Sequence, residues 1–239
     1  MAPQAEARDH WERLGGDYAA DWSRPARRLL SERELGFVAS AISRTRVRTA
    51  LDVGVGSGRI LAELLRRTEA ADIYGVDAAA AMVESCRERF AGEPRIRDLR
   101  VVDVAREPLP FENVDFISSI RVLKYSENWR DIVAKIGQAL APGGAAVFSM
   151  PNSVSLNRLS RPYEVPWHSV TRRGLEEVCR GAGLEPVEVR GFTKLPHGFY
   201  TRPRRPAVAA GVAAIDRGLA AAIGHASLAR ELFVIARRA

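Results

Sequence analysis

Residues Leu51 to Ile60 read LDVGVGSGRI: a short apolar run, three glycines at alternate positions, then residues at helical spacing. Gly54, Gly56 and Gly58 fall where a buried strand turns into a helix. Glycine permits positive φ and lets the backbone approach a ligand, while the helix start turns its N–H groups toward the crevice. The spacing is G-x-G-x-G, with Arg59 where a dinucleotide fingerprint has its third glycine. No Lys-Ser/Thr pair follows, so a P-loop is excluded.

Around this turn, β-branched runs alternate with helical segments. TALDV, DIYGV, IRDLRVVDV, VDFISSI and AAVFSM read as five strands. RILAELLRRT, AAMVESCRERF and WRDIVAKIGQAL read as intervening helices, the last stopped by APGG. TRRGLEEVCRGAG follows as a helix with Thr171 as N-cap, then LEPVEVRGF and ELFVIARR as two more strands. Strict alternation implies right-handed βαβ crossovers and a parallel sheet covered on both faces. Ligands bind such sheets at the carboxyl edge, where strand order reverses.

With 46% hydrophobic residues the chain is expected to pack as a globule. No uninterrupted apolar run approaches the ~18 residues of a membrane span, and MAPQAEARDHWERL lacks a signal-peptide h-region. Cys86 and Cys179 are too few for a disulfide framework, and no metal site is expected. The default location is therefore reducing and cytoplasmic. Residues 1–150 hold 22 basic and 22 acidic residues, whereas 151–239 hold 14 and 7. That excess would steer an anionic partner, although 33 arginines among 36 basic residues also fit GC-rich coding.

The motif D-x-G-x-G-x-G, at Asp52 to Gly58, resembles motif I of the class I S-adenosylmethionine-dependent methyltransferases. Further motifs follow in the family's order: Asp77 ending YGVD, VVDVAREPLPFENVDFI, SSIRVLKYSENW and LAPGGAAVFSMPN. The resemblance implies a Rossmann-like α/β sheet of seven strands, mostly parallel with an antiparallel last strand. It implies one domain over 1–239: an N-terminal helical cap at 1–48, a core at 49–192 and 231–239, and an insert at 193–230. It implies S-adenosyl-L-methionine as cofactor, which carries an already activated methyl group.

The same resemblance implies site roles. Asp77, with Ala78 beside it, would accept the ribose hydroxyls; Asp77 reads equally as the N-cap of the next helix. Met82 would pack on the adenine or serve as core, and Asp103 and Val104, ending the third strand, would read the adenine edge. Asp52 would help fix the cofactor's ammonium or cap the turn amides, with Gly54, Gly56 and Gly58 beside the methionine and Ile120 lining the same site. Tyr18, in the aromatic-rich cap, would reach the methionine end, while Trp11 and Trp22 read as packing residues. Many relatives carry His where Tyr125 stands, and a phenol is a poor base near neutrality. Tyr125 and His168 are the catalytic candidates, and both join Arg121 and His197 as acceptor-binding candidates. Arg121 would suit an anionic acceptor, or form a salt bridge to Glu127 or Glu164.

The expected reaction moves a methyl group to a hydroxyl or amine of a small molecule of the secondary-metabolite or sugar kind. Competing readings are a lipid- or quinone-like acceptor at a membrane surface, an RNA substrate and a catalytically inactive cofactor-binding scaffold. Asn/Asp-Pro-Pro-Tyr/Phe is missing after the fourth strand, so nucleic acid is not the expected partner. The insert, with Arg202, Arg204, Arg205 and an Ala/Val/Ile/Leu face, reads as a substrate lid, a homodimer face or a membrane-surface helix.

Overall fold

The computed structural model describes residues 3–14, 22–68, 72–156, 167–196, 198–201 and 205–239. Two helices come first, α1 (Pro3–Leu14) and α2 (Pro25–Ile42), followed by β1 (Thr49–Val53) and α3 (Arg59–Arg67). Next are β2 (Asp72–Asp77), α4 (Ala80–Arg89), β3 (Ile96–Val101) and β4 (Val114–Ser119). A 3-10 turn at Leu123–Tyr125 leads to α5 (Trp129–Ala139) and β5 (Leu140–Pro151). The chain continues through α6 (Arg172–Gly181), β6 (Leu184–Arg190), α7 (Gly198–Thr201), α8 (Pro206–Ile223) and β7 (Glu231–Arg238).

The strands form one seven-stranded sheet in the order β3-β2-β1-β4-β5-β7-β6. β1 pairs in parallel with β2 and β4, while β7 runs antiparallel to both β5 and β6. Strand order reverses between β1 and β4, so the glycine turn leaves the sheet at its switch point.

Successive strand residues face opposite layers. Leu51 and Val53 join Trp129, Ile132, Ile136, Leu175 and Cys179 from α5 and α6 in one apolar cluster. Ala50 and Ile73 join Phe37, Val38, Leu61, Leu64 and Val83 from α2, α3 and α4 in the other. Both cysteines thus sit on covering helices but face inward. Burial pushes each thiol up to about 12, with neighbouring carboxylates adding to the effect, so neither is a poised nucleophile.

Two boundaries differ from the sequence reading, each for a pairing reason. β3 stops at Val101 because its partner β2 ends at Asp77, opposite Val101. Asp103 and Val104 therefore lie in the turn beyond the strand. β5 begins at Leu140, which pairs with Val114 before the register shifts and Ala145 meets Phe116. The APGG stretch is thus a bulge within β5 rather than a linker. Thr171 caps α6 as expected, its hydroxyl accepting from Gly174 N–H at 3.0 Å.

The insert packs on α2. Arg33 donates to the carbonyls of Phe192 and Ala213 and pairs with the buried Asp216 of α8 at 3.6 Å. Asp216 also takes the Tyr200 hydroxyl at 2.7 Å and the Lys194 N–H at 3.0 Å. α8 also exposes Val208, Ile215 and Ile223. By length and composition α8 is apolar enough to cross a membrane, which no uninterrupted run in the sequence had suggested.

Candidate active site

A cavity opens at the carboxyl edge of β1, β2 and β4. Its floor is the glycine turn from Gly54 to Ser57, one wall is Asp77 to Ala79 with Met82, and another is Val102 to Arg106 with Ile132. Ile120, Arg121, Val122, Tyr125 and Ser126 close the side after β4, and Arg8, Trp11 and Trp22 come from the N-terminal segment.

The turn is built by the fold as well as for a ligand. Gly54 has φ +80°, and a Cβ there would lie 2.2 Å from a methyl of Val122. Gly58 has φ +74°, and its Cβ would meet the Phe90 ring at 2.4 Å. Only glycine fits either position. The N–H groups of Gly54 and Val55 both donate to the Val76 carbonyl.

Asp77 holds the rest of the turn. Its Oδ2 accepts from Gly56 N–H at 2.9 Å and its Oδ1 from Ala79 N–H at 3.0 Å. Burial raises its pKa, and these backbone hydrogen bonds oppose the rise. Asp77 does not cap α4, whose N-cap is Ala79. That duty falls to Glu12 of α1, whose carboxylate accepts from the N–H groups of Ala80 and Ala81 at 2.7 and 3.0 Å. One carboxylate from the N-terminal helix thereby fastens α1 beside the cavity.

Asp52 lies beneath the turn rather than in the cavity wall. Its Oδ1 accepts the Ser118 hydroxyl at 2.7 Å, so the carboxylate is tied to β4 and not to the turn amides. Its Oδ2 is buried without a hydrogen-bond partner. Burial pushes the carboxyl up to about 7; the Ser118 hydrogen bond and Arg59 pull it down, and Asp77 pushes it further up. Asp103 shapes its own turn, its Oδ1 accepting from Ala105 N–H at 3.2 Å.

The residues expected to act together are largely brought together: Gly54, Gly56, Asp77, Ala78, Met82, Asp103, Val104, Ile120, Arg121 and Tyr125 all line the cavity. Gly58 stands behind it, as does Asp52. His168 donates its backbone N–H to the Lys124 carbonyl at 2.7 Å, but its neighbour Trp167 is the residue that lines a cavity, a second and smaller one bounded also by Arg121, Lys124, Tyr125, Arg230 and Glu231. Tyr18 and His197 lie outside the described residues. Among the described residues Arg121 pairs with Glu34 and Glu231, at 2.5 and 2.8 Å, and sits at φ +66°; Glu164 lies outside them.

Sequence reasoning missed how Trp11 and Trp22 are used. Both line the cavity. Trp22 lies under the Arg59 guanidinium, 4.2 Å from its ring centroid, and Trp11 meets the Tyr125 ring edge-on at 5.7 Å. Their aromatic character was visible; their neighbours, far along the chain, were not.

A seven-stranded sheet in this order, with β7 antiparallel and a glycine turn at the switch point, has the class I methyltransferase fold. Residues 51–148 match the family model described as a methyltransferase domain. The chain is 30% identical over 118 residues to malonyl-[acyl-carrier protein] O-methyltransferase of Halorhodospira halophila, covering 48% of this chain and 39% of that protein. It is 28% identical over 131 residues to trans-aconitate 2-methyltransferase of Paracidovorax citrulli, covering 55% and 46%. The chain thus spans less than half the length of either relative. The N-methyltransferase NodS of Bradyrhizobium japonicum, solved with S-adenosyl-L-homocysteine, superposes with a TM-score of 0.66 over 97% of both chains at 16% identity. Residues 51–148 thus match the methyltransferase-domain family, and the chain shares the fold of these enzymes.

The donor set fits that family's cofactor. Asp77 keeps lone pairs beyond its two backbone bonds, since a carboxylate offers about four acceptor positions. Gly54 and Gly56 present bare backbone, Met82 and Ile132 supply apolar walls, and Asp52 holds an unpartnered oxygen beneath the turn.

Proposed function

We propose that the chain transfers a methyl group from S-adenosyl-L-methionine to a hydroxyl or amine of a small molecule of the secondary-metabolite or sugar kind. The observation that carries this reading is the cavity joining the glycine turn, Asp77 and Asp103 on one side to Tyr125 and Arg121 on the other. The cofactor supplies an electrophilic methyl on a sulfonium. The protein's task is alignment and exclusion of water, and aligned reactants lower a barrier by about 7–11 kcal/mol.

In this reading Asp77 orients the ribose through its free lone pairs, and Asp103 with the Val104 backbone reads the adenine edge. Met82 and Ile132 sandwich the base. Trp11 and Trp22 keep water out, with α1 fastened through Glu12. Tyr125 sits where the acceptor's reacting atom must approach. A phenol suits hydrogen bonding and alignment better than proton abstraction near neutrality. The two buried free thiols suit a reducing, cytoplasmic compartment.

The direct test is methyl-label transfer from the cofactor to a small-metabolite library, with native mass spectrometry of the purified protein. Bound S-adenosylmethionine or S-adenosylhomocysteine together with a labelled product is expected. A protein that binds neither compound and labels nothing sinks the proposal.

Asp52 gives this reading a pH signature. Its folded carboxyl titrates near 7 against an ordinary value of 3.8. A raised acid destabilises the fold on the alkaline side, so its penalty accrues as pH rises from 3.8 toward 7. A ligand bearing an ammonium favours the ionised carboxylate. Affinity for S-adenosylhomocysteine should therefore rise up to about tenfold between pH 6 and 8, with proton release on binding. Calorimetry in buffers of different ionisation enthalpy reads both quantities. A flat profile, or the same slope in Asp52→Asn, removes Asp52 from cofactor binding.

A second reading, a lipid-like acceptor at a membrane surface, draws on α8, where Val208, Ile215, Ile223, Arg205 and Arg217 are exposed. It predicts flotation with anionic liposomes that Ile215→Asp abolishes. No flotation leaves the small-molecule reading alone, and a dimer lost in Ile215→Asp assigns the face to a second copy.

A further inference from the structure

The turn after β3 is closed at its start by its own backbone and left open at its end. The Asp103 carbonyl accepts the N–H groups of Arg106 and Glu107, both at 2.8 Å, so residues 103–107 make a single helical turn. The Asp103 N–H donates to the Glu107 carboxylate at 3.0 Å, which fastens the beginning. The last carbonyls of such a turn need donors from elsewhere. Pro108 and Pro110 come next along the chain and have no N–H to give.

Lys135 of α5 fills that gap. Its ammonium donates to the Val104 and Glu107 carbonyls, at 2.7 Å each. Both bonds go to the backbone, and Lys135 forms no ion pair among the described residues. A lysine whose charge is spent on two carbonyls holds a conformation rather than a partner side chain.

The same turn lines the large cavity through Asp103, Val104, Ala105 and Arg106. The Val104–Ala105 peptide is gripped on both sides: its carbonyl by Lys135, its N–H by Asp103 Oδ1 at 3.2 Å. The preceding peptide has its carbonyl engaged twice, by Arg106 and Glu107. Its N–H, that of Val104, donates to no acceptor among the described residues. Val104 is buried, and a buried N–H is costly to leave unmatched. An acceptor atom on a ligand in the cavity would match it.

We propose that Lys135 is a positioning residue that sets the base preference of the cofactor site, holding the 103–107 turn so that the Val104 N–H meets a ring-nitrogen acceptor. This deepens the methyltransferase reading and rests on it. N1 of adenine accepts a hydrogen bond, whereas N1 of hypoxanthine carries a hydrogen and donates. A donor fixed at Val104 therefore favours adenine, and a turn free to shift loses that preference. Bonds in series also polarise one another, so the ammonium on the Val104 carbonyl strengthens the Ala105 N–H that holds the Asp103 carboxylate.

Isothermal titration calorimetry on the full chain tests this, with S-adenosylhomocysteine and its hypoxanthine analogue S-inosylhomocysteine as probes. The parent should bind the adenine compound at least about tenfold more tightly, since the analogue sets donor against donor. Lys135→Met keeps the length of the side chain and removes its donors. That preference should then fall at least about threefold, through weaker S-adenosylhomocysteine. Lys135→Arg, with donors restored, should keep the preference within about threefold of the parent's. A role confined to stability would lower both affinities together and leave their ratio alone. Should Lys135→Met fail to fold, Lys135→Ala makes the same comparison, and the parent's own ratio still decides. The proposal is overturned if the parent favours the adenine compound less than about tenfold, or if the ratio survives the loss of donors to within about threefold. It is equally overturned if Lys135→Arg loses as much of the preference as Lys135→Met. If neither compound binds the parent, the methyltransferase reading itself has failed; binding of both without preference strikes this proposal alone.

Discussion

Replacing Asp77 by asparagine is expected to weaken S-adenosylhomocysteine binding by a hundredfold or more, with the far-ultraviolet circular dichroism spectrum unchanged. The carboxylate already accepts from Gly56 and Ala79 N–H groups, one on each oxygen. An amide offers one acceptor oxygen and turns an NH2 toward whichever backbone donor the other oxygen served. The turn must shift or leave a donor unmatched, and the lone pairs left for the ribose are halved. Hydrogen bonds to a charged group contribute about 1.5–3 kcal/mol each, so losing two gives about 10²–10⁴ in Kd. Glu12→Ala provides the contrast, because it releases α1 and uncaps α4 without touching Asp77. A lost cap costs about 1 kcal/mol, so roughly a fivefold loss is expected there, mostly as faster dissociation. An Asp77→Asn protein within fivefold of the parent in Kd would remove the carboxylate from the cofactor site.

The difference between Asp77 and Glu12 is also the difference between what the sequence discloses and what it conceals. Asp77 was legible because it ends an apolar run 19 residues after Gly58, and a parallel ladder forces that strand end beside the glycine turn. The parallel part of the sheet followed from the alternation of short β-branched and helical segments, whereas the antiparallel β7 was implied by the family resemblance. Glu12 could not be read this way: it caps helix residues 68 and 69 positions away, and no local pattern marks the pairing. Strand ends were misjudged for a related reason, since β3 stops where its neighbour β2 stops rather than where its own β-branched residues run out. The second cavity is a stronger case. Lys124, Trp167 and Arg230 meet only because the 3-10 turn, the entry to α6 and the start of β7 converge at one sheet edge. Tryptophans near the N-terminus looked like packing residues because burial and cavity lining demand the same apolar surface, and Trp22 serves both at 8% exposure.

Glu34→Ala is expected to lower the melting temperature by roughly 10 °C, an unusual loss for one residue of a surface-covering helix. The Glu34 side chain has no exposed surface, and both its oxygens are engaged: Oε2 by Arg59 at 2.8 Å, Oε1 by Arg121 Nε at 3.0 Å and Nη2 at 2.5 Å. Arg59 and Arg121 are themselves mostly buried, at 16% and 20% exposure. Removing one partner of a buried pair leaves uncompensated charge and costs about 3–5 kcal/mol. For a chain of this size each kcal/mol corresponds to about 2–4 °C. The effect should couple to Arg121, whose left-handed backbone at φ +66° a bulky residue holds only when its surroundings enforce it. In a double-mutant cycle, Arg121→Met should therefore cost less in the Glu34→Ala background than in the parent. Differential scanning calorimetry reads both quantities, and additive losses would show that the two residues do not act as a unit. Because Arg121 lines both cavities, slackening it should also loosen their boundary. Glu34→Ala is then expected to weaken S-adenosylhomocysteine at temperatures where the variant is still fully folded. A variant with normal affinity there would confine Glu34 to holding α2 against the sheet.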